Sequence, residues 1–241
     1  MTLILLGILT GLMSGFFGVG GGTILVPLLL LYGFEMKSAV AISIMQMIFS
    51  SIYGSFLNSR KNKDILKDGV TIGIGGFLGG SLSGIIVPNV PGIYLKYIFI
   101  VVIIFSIYRV AITSTSTPCG TKTRNKFVLI FVGFIIGMIA MSIGIGGSVI
   151  LAPILVGYML YNLKDAASLG LFFVIFSSIA GFISLSLAGH MHYEEGLIVG
   201  LASLIGVYVG IKLKNIINIK YYKQLMLFLY SIILVSVIYK I

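Results

Sequence analysis

Two glycine-rich stretches inside long apolar runs constrain this chain more than any other feature of its sequence. Gly11–Pro27 and Gly137–Pro153 share the pattern Gly-(x)6-Gly-x-Gly-Gly-small-(x)4-Pro. At membrane depth, irregular backbone is tolerated only where it is buried in protein or lines a cavity. The contiguous glycines therefore predict helices that are broken inside the membrane. Two such breaks at matching places in two repeats are typical of a transporter's substrate site.

The composition supports a membrane setting for these breaks. Of the 241 residues, 59% are hydrophobic and 9% are charged, whereas about 25% of the residues in a soluble domain are charged. The net charge of +10 raises the possibility of a nucleic-acid partner. However, the basic residues lie at the ends of apolar runs, where the positive-inside rule places them in cytoplasmic loops. We therefore expect an integral protein of the lipid bilayer without a nucleic-acid partner.

Eight apolar segments predict an all-α, polytopic helical bundle. They lie at about 2–33, 39–57, 69–87, 93–112, 127–161, 166–188, 196–213 and 222–239. A helix needs roughly 20 residues to cross a bilayer, so the first and fifth segments, of about 32 and 35 residues, are too long for one straight crossing. Split at the glycines, each gives two half-helices of roughly 12–17 residues. This length favours either a re-entrant hairpin or a steeply tilted broken helix.

The similarity between the two halves extends beyond the glycine motif. The sequence Phe-Ser-Ser-Ile at Phe49–Ile52 recurs at Phe176–Ile179. We therefore predict a duplicated protein. Its first transmembrane repeat covers 1–112, its cytoplasmic linker 113–126 and its second transmembrane repeat 127–241.

Loop charges predict how the two repeats are oriented. Lysines and arginines mark the second, central and seventh connections as cytoplasmic. The sixth connection carries His190, His192, Glu194 and Glu195 without a lysine or arginine, and it is predicted to be external. All basic loops fall on one side only if the first and fifth segments enter and leave on the same face. Each repeat then crosses an odd number of times, which predicts an inverted repeat with both termini outside.

The glycine breaks carry the chemistry that the sequence suggests. A helix that restarts after Gly20–Gly22 presents free N–H groups and a positive dipole end to an anion. The second break does the same from the opposite side. Glycines also allow close helix packing, as spaced glycines elsewhere in the chain do, but packing does not require contiguous glycines. We expect the two breaks to converge on a small anion near the midplane, with alternating access by rocking of the repeats.

Polar side chains on the second segment of each half form a second candidate set. Ser43, Gln46 and Ser50 lie at i, i+3 and i+7 on one helical stripe. Such residues either donate hydrogen bonds to an oxyanion or bond neighbouring helices. Gln46 is the stronger candidate because burying an unpaired amide is costly. The predicted substrate-binding residues are Gly18, Gly20, Gly21, Gly22, Thr23, Ser43, Gln46, Ser50, Gly144, Gly146, Gly147, Ser148 and Ser177.

The apolar runs are also informative in what they lack. No Asp, Glu, Lys, Arg or His lies deep inside one, which argues against a cation pump and against a proton relay of side chains. The external loop with His190 and His192 is interpreted as polar rather than as a metal site. No nucleophile–base pair lies at membrane depth, so we expect neither an enzyme nor a bound cofactor. An anion channel lined by half-helix ends, a carrier for another small organic anion and a purely structural role stay open as alternatives.

The repeated motif, the Ala-x-Ser and Ser-Ser stretches after it and the eight-segment layout resemble the TauE/SafE family of sulfite exporter-type permeases. The resemblance covers essentially the whole chain, and Ser14–Pro27 is its specific part. The second copy differs by Ser148 in place of Gly22 and by Ala140–Met141 in place of Ser14–Gly15. The resemblance implies transport of small sulfur-containing anions, such as sulfite, sulfonate or thiosulfate. It also implies a multi-pass protein of the bacterial cytoplasmic membrane.

Overall fold

The computed structural model is helical throughout the residues that it describes, which are 1–59, 63–112, 125–159, 161, 163–217 and 219–240. In this part of the chain, seven segments are long and apolar enough to cross a membrane. The predicted polytopic helical bundle is therefore confirmed. The helices are α1 (Thr2–Phe17), α2 (Gly22–Leu31), α3 (Met36–Ser59), α4 (Lys63–Gly80), α5 (Ser83–Asn89), α6 (Gly92–Ile112), α7 (Lys126–Ile143), α8 (Ser148–Met159), α9 (Leu163–Leu187), α10 (Tyr193–Ile216) and α11 (Ile219–Tyr239).

The first and fifth predicted segments are broken helices. α1 and α2 are separated at Gly18–Gly21, and α7 and α8 at Gly144–Gly147. Gly18 and Gly144 end α1 and α7 in the left-handed conformation, with φ of 69° and 70°. Glycine adopts this conformation without the steric cost of a Cβ atom. Both breaks lie where the contiguous glycines predict them.

The half-helices vary more in length than the sequence predicts. α1, α2 and α8 contain 16, 10 and 12 residues, whereas α7 contains 18 residues and is long enough to cross a membrane. The expected range of roughly 12–17 residues is therefore wrong for α2 and α7. α7 starts early because Asn125 caps it, its side chain accepting a hydrogen bond from the Phe127 N–H at 3.1 Å. α2 ends early at a turn in which Gly33 adopts a φ of 98°.

The glycines of α1 show its direction in the bundle. Gly7 packs against Val199 of α10, and Gly15 packs against Val207 further along the same helix. The two helices therefore run parallel. Glycines at such contacts let the helix backbones approach closely, as small residues do in membrane helix pairs.

The direction of α3 makes the first broken segment a hairpin. α3 also runs parallel to α10, since Gly196 packs against Met45 and Gly200 against Phe49. α1 and α3 consequently point the same way, although only α2 and the turn at 32–35 connect them. α2 must run back between them. α1 and α2 therefore form a re-entrant hairpin rather than one tilted crossing.

The second broken segment has the same shape. α7 runs parallel to α4, because Gly133 packs against Ile72 and Gly137 against Gly76. α4 and α5 also run parallel to α9. α7 and α9 are therefore parallel, and α8 runs back between them. The contacts of α4 and α5 with α9, in order, are Gly69 with Phe172, Gly80 with Ser177 and Gly84 with Ser184.

The two hairpins enter the bundle from opposite ends. α3 and α9, the helices that follow them, run antiparallel because Gly54 packs against Leu171 and Gly181 against Ile44. α1 and α3 therefore point one way, and α7 and α9 point the other way. The starts of α2 and α8 consequently lie in the interior of the bundle and not at its surface.

The third segment contains an interruption, although it is predicted as a single apolar segment. α4 ends at Gly80 and α5 begins at Ser83. The Leu82 N–H donates to the Gly79 carbonyl oxygen at 3.1 Å, which is a tight turn within the crossing. A Cβ on Gly79 would overlap the carbonyl oxygen of Phe134, so close packing against α7 accompanies the bend.

Candidate functional site

The two glycine breaks meet inside the bundle. Thr23 at the start of α2 donates from Oγ1 to the carbonyl oxygen of Ile145 in the second break, at 2.6 Å. A Cβ on Gly22 would overlap the carbonyl oxygen of Gly144. Residues 14–27 and 140–153 are all buried. The glycines predicted to bind substrate in the two halves therefore form one contiguous, enclosed region.

Glycine is needed at this contact for two reasons. Gly20 and Gly146 adopt φ of 61° and 65°, which residues with a Cβ rarely adopt. A Cβ on Gly146 would also lie only 2.9 Å from the carbonyl oxygen of Gly20. The two backbones thus approach too closely for a larger residue, which explains why both copies of the motif keep these glycines.

Both returning half-helices begin inside this region. α2 starts at Gly22 and α8 at Ser148, and the first N–H groups of a helix have no partner within the helix. In the described part of the chain, the N–H groups of residues 20–23 and 146–148 donate no hydrogen bond to protein. Each start therefore combines unused donors with the positive end of a helix dipole, which is a favourable setting for an anion.

The amide of Gln46 lies at the start of α2. Its side chain is fully buried, at 0% exposure, and a Cβ on Gly21 would overlap its amide atoms. Neither Nε2 nor Oε1 has a hydrogen-bond partner in the described chain. A buried polar group left without a partner costs about 1–3 kcal/mol. The unused amide therefore lies beside unused N–H groups, an arrangement suited to a polar ligand.

The second break has no such amide. The offset that relates the Ser-Ser stretches of the two halves places Phe173 where the first half has Gln46. A Cβ on Gly147 would overlap the Phe173 ring and would lie 2.8 Å from the Ile136 side chain. Apolar side chains therefore cover the start of α8, whereas a polar side chain borders the start of α2.

The hydroxyls predicted to contact substrate make hydrogen bonds within the protein. Ser43, Ser50 and Ser177 each donate to a carbonyl three or four residues earlier in their own helix, at 2.7, 3.4 and 3.2 Å. Ser148 donates to the carbonyl oxygen of Gly146 at 3.1 Å. Because their protons are engaged, these hydroxyls offer a ligand only acceptor lone pairs. Gln46 is the predicted side chain that keeps its donors free.

Two hydrogen bonds that the sequence analysis does not predict hold the backbone beside the breaks. Tyr222 of α11 donates from its hydroxyl to the carbonyl oxygen of Phe17, the last residue of α1, at 2.8 Å. Ser106 of α6 donates to the carbonyl oxygen of Val149 at 3.3 Å. Pro153 is a sequence signal for the second bond, because its missing N–H frees the carbonyl four residues earlier. No comparable signal precedes Tyr222.

Charged groups lie at the ends of the helices. Among the described residues, Asp68 and Lys214 are the buried charged ones, and Asp68 accepts a hydrogen bond from the Tyr161 hydroxyl at 2.6 Å. His192 and Glu195 of the sixth connection lie 3.7 Å apart at the surface. No group of three or more His, Cys, Asp or Glu residues that could hold a metal ion occurs in the described chain.

Two hairpins of broken helices, whose returning helices start side by side inside a multi-pass bundle, define the class of this protein, since broken helices at membrane depth are a feature of membrane transporters. The family model of the sulfite exporter TauE/SafE family matches residues 3–237. The chain therefore belongs to the TauE/SafE family, as the glycine motif predicts.

Relatives of the chain carry transporter names. The chain is 26% identical over 235 residues to a probable membrane transporter protein of Methanocaldococcus jannaschii, covering 91% of this chain and 88% of that protein. It is 28% identical to the probable membrane transporter protein YdhB of Bacillus subtilis, covering 90% and 91% of the two chains. No solved structure matches it. The family and these relatives indicate a multi-pass membrane transporter and not an enzyme.

Proposed function

We propose that this transporter carries a small sulfur-containing oxyanion, such as sulfite, sulfonate or thiosulfate, and that the anion binds where the glycine breaks meet. One observation carries the proposal: unused N–H groups at the start of α2 lie beside the unpartnered, fully buried amide of Gln46. Anions bind well at helix starts because backbone donors and the helix dipole act together. The description of the family as sulfite exporters supports the sulfur chemistry.

The proposed mechanism is alternating access between two inverted repeats. The helix directions support this arrangement, because α1 and α3 point against α7 and α9. Partner exchange supports it as well, since α1 packs on α10 of the other half and α7 packs on α4. Rocking of one half against the other would then open the site to each side in turn.

Burial of the breaks favours a carrier over a channel. Residues 18–23 and 144–148 are buried without exception, whereas a conducting channel needs a continuous path for its ion. An enclosed site reached by turns is the geometry that alternating access requires.

The proposed location is the bacterial cytoplasmic membrane. The repeats would occupy 1–112 and 127–241, joined on the cytoplasmic side by the linker at 113–126. Residues 113–124 of this linker lie outside the described residues. The basic residues that mark this side also lie partly outside them, at Arg60–Lys61 and at Lys122–Arg124.

Transport by purified protein in liposomes tests the proposal. Flux of labelled sulfite should saturate with concentration. Gly21→Leu and Gly147→Leu should each reduce this flux by about tenfold or more, and a tenfold loss corresponds to about 1.4 kcal/mol. Gly92→Ala is the matched control, because its Cβ would meet only the Met36 side chain, at 3.4 Å. Unchanged flux in both glycine variants would refute the site. Flux that does not saturate would indicate a channel.

A further inference from the structure

We infer that the site selects an anion with one negative charge and one remaining O–H group, such as hydrogensulfite, over a dianion and over a fully deprotonated monoanion. The inference rests on the proposed anion site at the start of α2. It is based on the absence of charged side chains near the start of α2 and on the ability of the Gln46 amide both to donate and to accept hydrogen bonds. Neither property follows from the glycine breaks alone.

The helices that form the site carry no charged side chain close to it. α2 and α8 contain none, and those of α3 and α9 are Lys37, Lys164 and Asp165, which lie in the first turn of each helix. Gln46 is nine residues beyond Lys37, a rise of about 13 Å along the helix. No lysine or arginine of these four helices therefore neutralises the bound anion directly.

Backbone dipoles supply the positive potential, and their strength limits the charge of the anion. Each helix start is equivalent to roughly half an elementary charge, so α2 and α8 together offer about one. The Born cost of moving an ion out of water grows with the square of its charge, which makes desolvation of a dianion about four times as costly as that of a monoanion of equal size. Such a site favours a single negative charge.

The Gln46 amide adds a requirement for a donor on the ligand. Its Nε2 donates and its Oε1 accepts, and both atoms are buried without partners in the described chain. The N–H groups of residues 21–23 can only donate. An anion without a proton would therefore leave Oε1 buried and unpaired, which is unfavourable. An anion that keeps one O–H group satisfies the amide at both ends.

The second break is unsuited to the same ligand. Phe173 and Ile136 lie over Gly147 at the start of α8, and neither side chain accepts a hydrogen bond. One anion is therefore expected for each transporter, bound at the first break.

The pH dependence of transport should reflect protonation of the ligand rather than protonation of side chains in the protein. α1 and α2 contain no ionisable side chain apart from the chain terminus at Met1, and the charged side chains of the other packed helices lie near helix ends. Those charged residues are Lys37 on α3, Lys63, Asp64, Lys67 and Asp68 on α4, Lys96 and Arg109 on α6, Lys126 on α7, Lys164 and Asp165 on α9, Glu194, Glu195, Lys212 and Lys214 on α10, and Lys220, Lys223 and Lys240 on and after α11. Tyr222 and Tyr230 are the buried phenols of α11.

The test is labelled sulfite flux through the full-length protein in liposomes, at fixed total sulfite across a range of pH. Flux should follow the fraction of hydrogensulfite, falling about tenfold per pH unit above the pKa of hydrogensulfite. Methanesulfonate, a monoanion without O–H at each pH used, should compete weakly. Because its charge does not change with pH, any pH dependence of its competition reports titration of the protein. Sulfate, a dianion of similar size, should not compete.

Gln46→Met separates this inference from the proposed function. In this variant, the preference for hydrogensulfite over methanesulfonate should fall about tenfold, which corresponds to about 1.4 kcal/mol. Gln224→Met, at an exposed glutamine of α11, is the control and should keep the preference. Sulfite flux that increases with pH, strong competition by sulfate, or an unchanged preference in Gln46→Met would overturn the inference while leaving oxyanion transport intact. Failure to move any oxyanion would instead refute the proposed function.

Discussion

The first and second glycine breaks have almost the same backbone and different surroundings. In both, a glycine with φ near 70° ends the incoming helix, and in both the returning helix starts against the other break. However, the first break is bordered by the unpartnered amide of Gln46, and the second is covered by the Phe173 ring. The comparison teaches that two stretches with the same glycine spacing adopt the same backbone geometry, while the side chains packed on them differ: an unpartnered amide borders the first break and an aromatic ring covers the second.

The largest expected effect is the loss of anion binding when one methyl group is added at either break. Gly21→Ala places a Cβ on the Gln46 amide, and Gly147→Ala places one on the Phe173 ring. Each should reduce hydrogensulfite binding by about tenfold or more. Calorimetric titration of the purified variants measures this loss.

The compensating variants distinguish the two breaks. Phe173→Leu should restore both folding and binding to Gly147→Ala, because the ring only fills space. Gln46→Ala should restore folding to Gly21→Ala but not binding, because in the proposed site the amide itself contacts the anion. Full binding in the Gly21→Ala, Gln46→Ala double variant would show that the two breaks do not differ in the way proposed.

The next effect concerns the hydrogen bond that joins the breaks. Thr23→Val removes the donor to the Ile145 carbonyl oxygen, and the buried carbonyl then lacks this partner. We expect the free energy of unfolding to fall by about 1–3 kcal/mol, as measured by denaturation in detergent. Thr10→Val is the control, since Thr10 donates to Leu6 within its own helix. Equal losses in the two variants would mean that Thr23 does not link the halves.

The Gln46 amide should also have a measurable cost in the absence of ligand. Gln46→Met replaces an unpaired buried amide with an apolar side chain of similar length, so the free energy of unfolding should increase by about 1 kcal/mol. Thermal unfolding without added anion measures this change. A marked loss of stability would instead show that the amide has a structural partner.

The smallest expected effect is at the end of α1. Tyr222→Phe removes the hydroxyl that donates to Phe17, at a cost of about 1 kcal/mol. Ser106→Ala makes the equivalent test beside the second break, where Ser106 donates to Val149. If thermal unfolding of both variants matches that of the parent protein, these bonds do not hold the backbone at the breaks.

The sequence predicts the backbone of the site better than its chemistry. Contiguous glycines reveal the breaks because a positive φ and a close backbone contact both require glycine locally, as at Gly20 and Gly146. The hairpin, one of two shapes that the sequence left open, is resolved by the parallel directions of α1 and α3. The contrast between Gln46 and Phe173 depends on contacts between distant helices, and neither residue type alone shows what it faces. The bend between α4 and α5 likewise depends on packing against α7.

The position of the bound anion tests the central claim most directly. Selenite, the heavier analogue of sulfite, can be located by its anomalous scattering in crystals grown at a pH where the monoanion dominates. We predict a single site within hydrogen-bond reach of both the N–H groups of residues 21–23 and the Gln46 amide, with donor–oxygen distances of about 2.7–3.2 Å. A site at the N–H groups of residues 146–148, or one remote from both breaks, would contradict the account.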